Sequence, residues 1–386
     1  MAPKRPQGAG ATHKRGPAQG AQPAPRAPGS PELYAALDLG TNSCRMLIAE
    51  PQGAGFHVVD SFSKSVQLGH GLERSGKLSR GSMTRTVQAL RICQQKLKRH
   101  KVRRMRLVAT EACRRAVNAR EFIARVHRET GLRLDIIEPE EEARLAVISC
   151  APLVSPKTEN LLVVDIGGGS TELVWIDLSK VAKKDRPQAI MRLHSGFVRA
   201  VSDVPEARVV DWISVPLGVA TLREQFNDVE DDAARFALMS WFFEENLADF
   251  SPYHATEPTE RFQIVGTSGT VTTVAASHLG LKRYDRTKVD GLRMSSGQID
   301  AVIRSYLDMG PGGRRADPRI GSDRHTLIMS GAAILQALMR CWPTNRLSVA
   351  DRGLREGLLY AQMSADGVLE EQSVRPKGAV SSPHRG

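Results

Sequence analysis

The chain has 386 residues, enough for two ordinary domains, of which 41% are apolar and 25% charged. No uninterrupted apolar run approaches the roughly 18 to 20 residues that cross a bilayer, and the N-terminus lacks the basic-then-apolar layout of a secretory signal. A cytoplasmic protein without a membrane partner is therefore expected. The formal net charge of +12 suits an anionic ligand. Nucleic acid is the competing anion, but only 5% of residues are aromatic and no recognition-helix or zinc-finger pattern appears.

In chain order, residues 1–30 hold Lys4, Arg5, Lys14, Arg15 and Arg26 with no acid, among Pro, Gly, Ala and Gln. They read as a disordered basic tail. Strands are expected at 33–37, 45–50 and 56–63, the last two joined by a turn. Met83, Val87, Leu90 and Leu97 recur at helical spacing. A strand at 106–110, a helix at 120–129 and a strand at 134–137 follow, then a helix at 140–149 opened by Pro139. Apolar strands at 161–164 and 173–176 flank a glycine loop, and a strand at 262–265 leads into a helix at 270–278. Further helices are expected at 231–248, 297–306, 323–340 and 353–363, and residues 365–386 read as a flexible tail. The alternation argues for an α/β class. The five cysteines are scattered and never spaced as CxxC, which fits a reducing compartment better than a disulfide framework or a zinc site.

The strongest internal signal is a repeat. Leu-Asp-Leu-Gly-Thr-Asn-Ser-Cys-Arg-Met-Leu-Ile at 37–48 aligns with Val-Asp-Ile-Gly-Gly-Gly-Ser-Thr-Glu-Leu-Val-Trp at 164–175. Each copy reads strand, Asp, loop, Ser, strand, unlike the Walker loop, which runs from strand to helix and needs Gly-Lys-Ser/Thr. The small residues Gly40, Gly167, Gly168 and Gly169 let backbone N–H groups approach phosphate oxygens. Thr41, Asn42, Ser43, Ser170 and Thr171 complete the two candidate phosphate loops. Asp38 and Asp165 would repel phosphate unless they hold Mg²⁺ or Mn²⁺, directly or through water.

These loops resemble the two phosphate motifs of the exopolyphosphatase and guanosine pentaphosphatase (Ppx/GppA) family, part of the actin, hexokinase and heat-shock ATPase superfamily. Ala109-Thr110-Glu-Ala-Cys-Arg114 with Asn118, Glu141-Glu142-Ala143-Arg144, and Asp351-Arg-Gly-Leu-Arg-Glu-Gly357 resemble further family motifs in the same order. The similarity spans residues 33–360. It implies two ribonuclease-H-like domains, here 31–144 and 145–364, flanking a cleft with one loop on each wall. It also implies a metal-dependent hydrolase releasing orthophosphate from inorganic polyphosphate or guanosine pentaphosphate, and a homodimer. The family's catalytic carboxylate carries over onto Glu142, which would orient and deprotonate the attacking water. On the residues alone, Glu142 and its acidic neighbours also suit a helix start, where they complement the dipole. Arg114 matches the arginine of the third motif and Arg45 follows the first loop; either guanidinium can clamp phosphate. Glu172 is expected to join the metal or its water network. Arg115 stands where the family commonly has an acid.

Two rival readings remain: an ATP-dependent kinase of the same superfamily, and a sensor that binds polyphosphate or guanine alarmones without hydrolysis. The basic run from Lys96 to Arg106 reads as a solvated helix end rather than a polyanion guide. Gly266-Thr-Ser-Gly-Thr270 either binds phosphate at a helix N-terminus or packs a turn. The chain resembles the short two-domain form of the family, since longer relatives carry an additional His-Asp-type domain.

Overall fold

The computed structural model describes residues 32–195, 207–250, 260–321 and 324–369. The expected N-terminal tail and the C-terminal residues from 370 onward lie outside them. Two mixed sheets organise the chain. The first has the order β3-β2-β1-β4-β5, from β1 (Tyr34–Leu39), β2 (Ser43–Gln52), β3 (Gly55–Ser65), β4 (Arg104–Ala109) and β5 (Asp135–Ile136). The second has the order β10-β11-β9-β6-β7-β8, from β6 (Asn160–Ile166), β7 (Thr171–Asp177), β8 (Arg208–Val215), β9 (Phe262–Thr267), β10 (Arg293–Met294) and β11 (Leu347–Ala350).

The sequence repeat is the centre of a larger structural one. β1 pairs antiparallel with β2 and parallel with β4, as β6 does with β7 and β9. The outer pairings match as well: β2–β3 and β7–β8 are antiparallel, while β4–β5 and β9–β11 are parallel. Each sheet is therefore the same five-strand unit, and the second carries β10 as an extra edge.

Strand alternation decides what faces the space between the sheets. In β1, Ala35, Leu37 and Leu39 pack under the helices Arg80–Arg99 and Ala119–Thr130, whereas Tyr34 and Ala36 pack against the helix Leu354–Ala365. Asp38 continues the Tyr34 and Ala36 parity. In β6, Leu162, Val164 and Ile166 join the core built with the helices Asp232–Glu245, Gly269–His278 and Ile328–Cys341; Leu161 and Val163 join the opposite one. Asp165 continues that second parity. By the same count Arg45 shares the Leu47 and Ala49 face of β2, and Glu172 shares the Val174 and Ile176 face of β7.

The helix Pro139–Cys150 lies between these inner faces. Its Ala143, Val147 and Cys150 enter the core of the second sheet and its Leu145 enters that of the first. A helix buried on two sides shows little amphipathicity, and Pro at its first turn costs no backbone hydrogen bond. The expected division at residues 144 and 145 falls inside this helix.

Some elements differ from expectation. The helix Ser296–Ala316 runs past residue 306, continuing across a kink at Gly310 (φ 62°, ψ 179°) beside Pro311. The helix expected at 323–340 begins at Ile328, and residue 323 lies outside the described residues. Strand β8 is only partly buried along most of its length, so no clean alternation marks it. Strand β11 has four residues and is fully buried, too short for a periodic signal. Among the described residues, no helix is long and apolar enough to cross a membrane.

Candidate active site

Both loops close with the same bond. Gly40 N donates to Ser43 O at 3.0 Å, and Gly167 N donates to Ser170 O at 2.9 Å. The carbonyls of both loops are held from outside. Asn42 O accepts from Val66 N and Gln67 N, and Thr41 O from Gly69 N; Gly167 O and Gly168 O accept from Val219 N and Ala220 N. Loops held in this way can present N–H groups to an anion. Gly218 is needed for the second clamp, because a Cβ there would fall 2.5 Å from Gly168 C and 2.6 Å from Gly167 O.

The loops approach each other across the space between the sheets. A Cβ on Gly168 would lie 3.2 Å from Asn42 N, and one on Gly169 would lie 2.4 Å from Thr41 Oγ1. That hydroxyl oxygen is buried and has no hydrogen-bond partner, an arrangement that suits a ligand acceptor at the junction.

A cavity of about 180 Å³ opens here. It is lined by Asp38, Gly40, Thr41, Asn42, Ser43, Arg45, Glu142, Asp165, Gly167, Gly168, Gly169 and Ser170 of the residues expected from sequence. Three others do not line it. Thr171 Oγ1 donates to Leu217 O at 2.8 Å, and Glu172 Oε1 accepts from Ser214 Oγ at 2.9 Å. Arg114 is committed to carboxylates: its Nη1 donates to Glu142 Oε2 at 2.8 Å, and its Nη2 to Glu111 Oε2 at 2.9 Å. The geometry thus gives Arg114 to the side chains of Glu142 and Glu111 and leaves the cavity wall to other arginines. Arg115 finds its partner in Glu73, at 2.5 and 2.9 Å.

Those other arginines include two that sequence reasoning missed. Arg324 and Arg355 line the cavity with Arg45 and Arg352. Arg352 is occupied by Asp290, whose Oδ2 accepts from its Nη2 at 2.6 Å. Arg324 Nη1 donates to Gly269 O at 3.2 Å and Thr273 Oγ1 at 2.6 Å, beside the N-terminus of the helix Gly269–His278. Burial and the nearby Arg355 push Arg45 below its ordinary pKa, with Asp38 opposing them and Arg324 adding to them. Like charges held this close suit a polyanion. Arg355 sits in the 351–357 motif and was legible there, whereas nothing around Arg324 marks it.

The acids are compressed too. Burial, reinforced by Glu142 and Asp38, raises Asp165 to about 8. Burial, then the charge of Asp165, raises Glu172 to about 7. Asp38 is raised by burial against the pull of Arg45. Glu142, 9% exposed, is raised well above the carboxylate range by burial and by Glu172, with Arg114 opposing. Among the described residues, no three His, Cys, Asp or Glu side chains gather as a ready metal cage.

The Ppx/GppA phosphatase family model matches residues 47–366. The chain belongs to the Ppx/GppA phosphatase family. It is 29% identical over 334 residues to a guanosine-5'-triphosphate,3'-diphosphate pyrophosphatase of Aeromonas salmonicida, and 29% identical over 328 residues to that of Aeromonas hydrophila. Each alignment covers 85% of this chain, which spans only 59% of the relative's length. The crystal structure of an Aquifex aeolicus Ppx/GppA family member matches with a TM-score of 0.67 at 28% identity, covering 87% of this chain and 98% of that one. An exopolyphosphatase from Cytophaga hutchinsonii shares the fold, with a TM-score of 0.72 at 21% identity over 87% of this chain and 99% of that one. The two mixed sheets are thus the paired ribonuclease-H-like domains of this Ppx/GppA protein, and the cavity lies in the cleft they flank.

Proposed function

We propose that this chain hydrolyses the terminal phosphoanhydride of a polyphosphorylated substrate, inorganic polyphosphate or guanosine pentaphosphate, with Glu142 as general base. The observation that carries this reading is the Glu142 carboxylate. It is buried at the cavity between the two phosphate loops and fixed at 2.8 Å by Arg114. Phosphoryl transfer asks for positioning and charge neutralisation more than for covalent chemistry. The loops and the Arg45, Arg324 and Arg355 guanidiniums supply that around the phosphates. Arg114 opposes the burial that raises Glu142 and so favours the ionised carboxylate that can take a proton from water.

The donor set fits a divalent cation. Asp38 and Asp165 come from opposite loops and line one cavity, and Mg²⁺ is commonly held by one or two carboxylates plus waters and substrate oxygens. Asp38 and Asp165 would hold it, and Glu172, turned to Ser214, would support its water shell. When bound, the cation would draw charge from the phosphate oxygens. The loops approach closely across the cleft, so a parting of the two walls would widen the way out for product.

The test is orthophosphate release from long-chain polyphosphate and from guanosine pentaphosphate, side by side with Mg²⁺, for the wild type and Glu142→Gln. Release from either substrate that collapses in the variant supports the mechanism and names the substrate. A folded wild type that releases phosphate from neither sinks it.

A further inference from the structure

Arg114 lies between two carboxylates, donating two hydrogen bonds to Glu111 and one to Glu142. Arg114 Nε and Nη2 donate to Glu111 Oε2 at 3.2 and 2.9 Å, while Nη1 donates to Glu142 Oε2 and to Ile137 O, both at 2.8 Å. The guanidinium is planar, so fixing Nε and Nη2 also fixes where Nη1 points. Glu111 is itself braced. Its Oε1 lies 3.8 Å from Arg115 Nε, and Glu73 clamps Arg115 in turn.

Glu111 also touches the other sheet's loop. A Cβ on Gly169 would lie 2.8 Å from Glu111 Cγ and 3.1 Å from its Cβ. Its stem therefore packs against the second phosphate loop while its carboxylate holds the arginine that holds Glu142. A bare carboxylate lining a phosphate cavity would repel substrate. Here Glu111 faces two arginines, which offset that charge.

We propose that Glu111 is a positioning residue that registers the Glu142 carboxylate against the second phosphate loop, acting through Arg114. The proposal rests on the reading of Glu142 as the base. It requires no contact between Glu111 and the reacting atoms.

The experiment is steady-state orthophosphate release from the preferred of the two substrates with Mg²⁺. The proteins are the wild type, Glu142→Gln, Glu111→Gln, Glu111→Asp, Arg114→Met and the Glu111→Gln/Arg114→Met double variant. A base displaced by a fraction of an ångström to about 1 Å loses up to about 100-fold in rate. Glu111→Gln should therefore lower kcat by roughly 10- to 100-fold with KM within about 3-fold, and Glu111→Asp should recover part of the loss. In the Arg114→Met background the same substitution should cost less than about 3-fold, because the group it acts through is gone. Losses that multiply, a loss residing in KM, or an unchanged kcat overturns the proposal. If Glu111→Gln fails to fold, Glu111→Asp alone and in the Arg114→Met background carries the same comparison. An inactive wild type overturns the hydrolase reading and this inference together. An active wild type, a dead Glu142→Gln and an unaffected Glu111→Gln overturn the inference alone.

Discussion

Arg45 and Glu172 occupy the same place in the two copies of the loop, yet Arg45 stands across the strand pair from Asp38 and Glu172 stands across from Asp165. One copy sets a base against its acid, and the other sets a second acid. A duplicated unit has thereby been given two electrostatic characters. Both loops line the cavity, and only the first brings a guanidinium, Arg45, to its wall beside the acid. The second sets Glu172 beside Asp165, and both carboxyls are raised, first by burial and then by neighbouring acids.

Arg45→Met should therefore weaken substrate binding more than turnover. Losing a hydrogen bond to a charged group costs about 1.5–3 kcal/mol, or roughly 10- to 150-fold in kcat/KM at 1.4 kcal/mol per tenfold. KM should carry most of it, and the salt dependence of kcat/KM should become shallower. Lys98→Ala, in the exposed basic run, should leave both unchanged. Equal losses in the two variants would instead give that run a guiding role.

Glu142→Gln should lower kcat by about 10²- to 10⁴-fold, the range for a general base, without weakening substrate binding. Removing an acid raised by burial and by the nearby Glu172 relieves repulsion at the site. Calorimetric titration of the variant with short-chain polyphosphate should thus give an affinity at least equal to that of the wild type. A variant that neither binds nor turns over would place Glu142 in phosphate binding rather than proton transfer.

The sequence made the loops legible because their chemistry needs fixed residue types at fixed spacing. Gly40 to Ser43 and Gly167 to Ser170 each close a turn through the same backbone bond. Glu142 was legible only through its motif, since its acidic neighbours look like any helix start. Arg324 was not legible at all. It reaches the cavity from a segment between two helices, through contacts to Gly269 and Thr273 some 50 residues earlier. Arg114 does not line the cavity, because its ion pairing with Glu111 and Glu142 is a property of packing that no spacing shows. The five-strand repeat outran its sequence trace for a related reason. Its outer strands conserve pairing direction, which any half-buried residues can satisfy.

Metal-free protein should lose stability as pH rises. Asp165 titrates at about 8 in the fold against an ordinary 3.8, chiefly through burial. A carboxyl raised in this way contributes stability that is full below its unfolded pKa and is lost as pH climbs through the folded one. The window for this loss is therefore pH 4 to 8, with Glu172 acting in the same direction up to about 7. Thermal unfolding in a chelator should show a lower Tm at pH 8 than at pH 5. Asp165→Asn should shrink that difference, and Mg²⁺ should raise the wild-type Tm most at pH 8. Equal pH slopes for the wild type and Asp165→Asn would overturn the assignment.

The crossing of the two inner helices should tolerate no added methyl group. Gly357, in the helix Leu354–Ala365, meets the backbone of the helix Pro139–Cys150, and a Cβ there would fall 2.1 Å from Leu145 O and 2.7 Å from Leu145 C. A carbonyl inside a helix cannot move aside as a side chain can, so Gly357→Ala must push the helices apart. Overpacking of this kind costs about 1–3 kcal/mol. Glu142 lies one turn from Leu145 on the displaced helix, so kcat should fall along with Tm. Gly55→Ala supplies the control: its Cβ would meet only Tyr360 Oη at 3.7 Å and Gln52 O at 4.0 Å, both ordinary contacts. Thermal unfolding and orthophosphate release on both variants decide the matter. A Gly357→Ala protein as stable and active as Gly55→Ala would mean that the helices can separate freely and that Glu142 is not positioned by their contact.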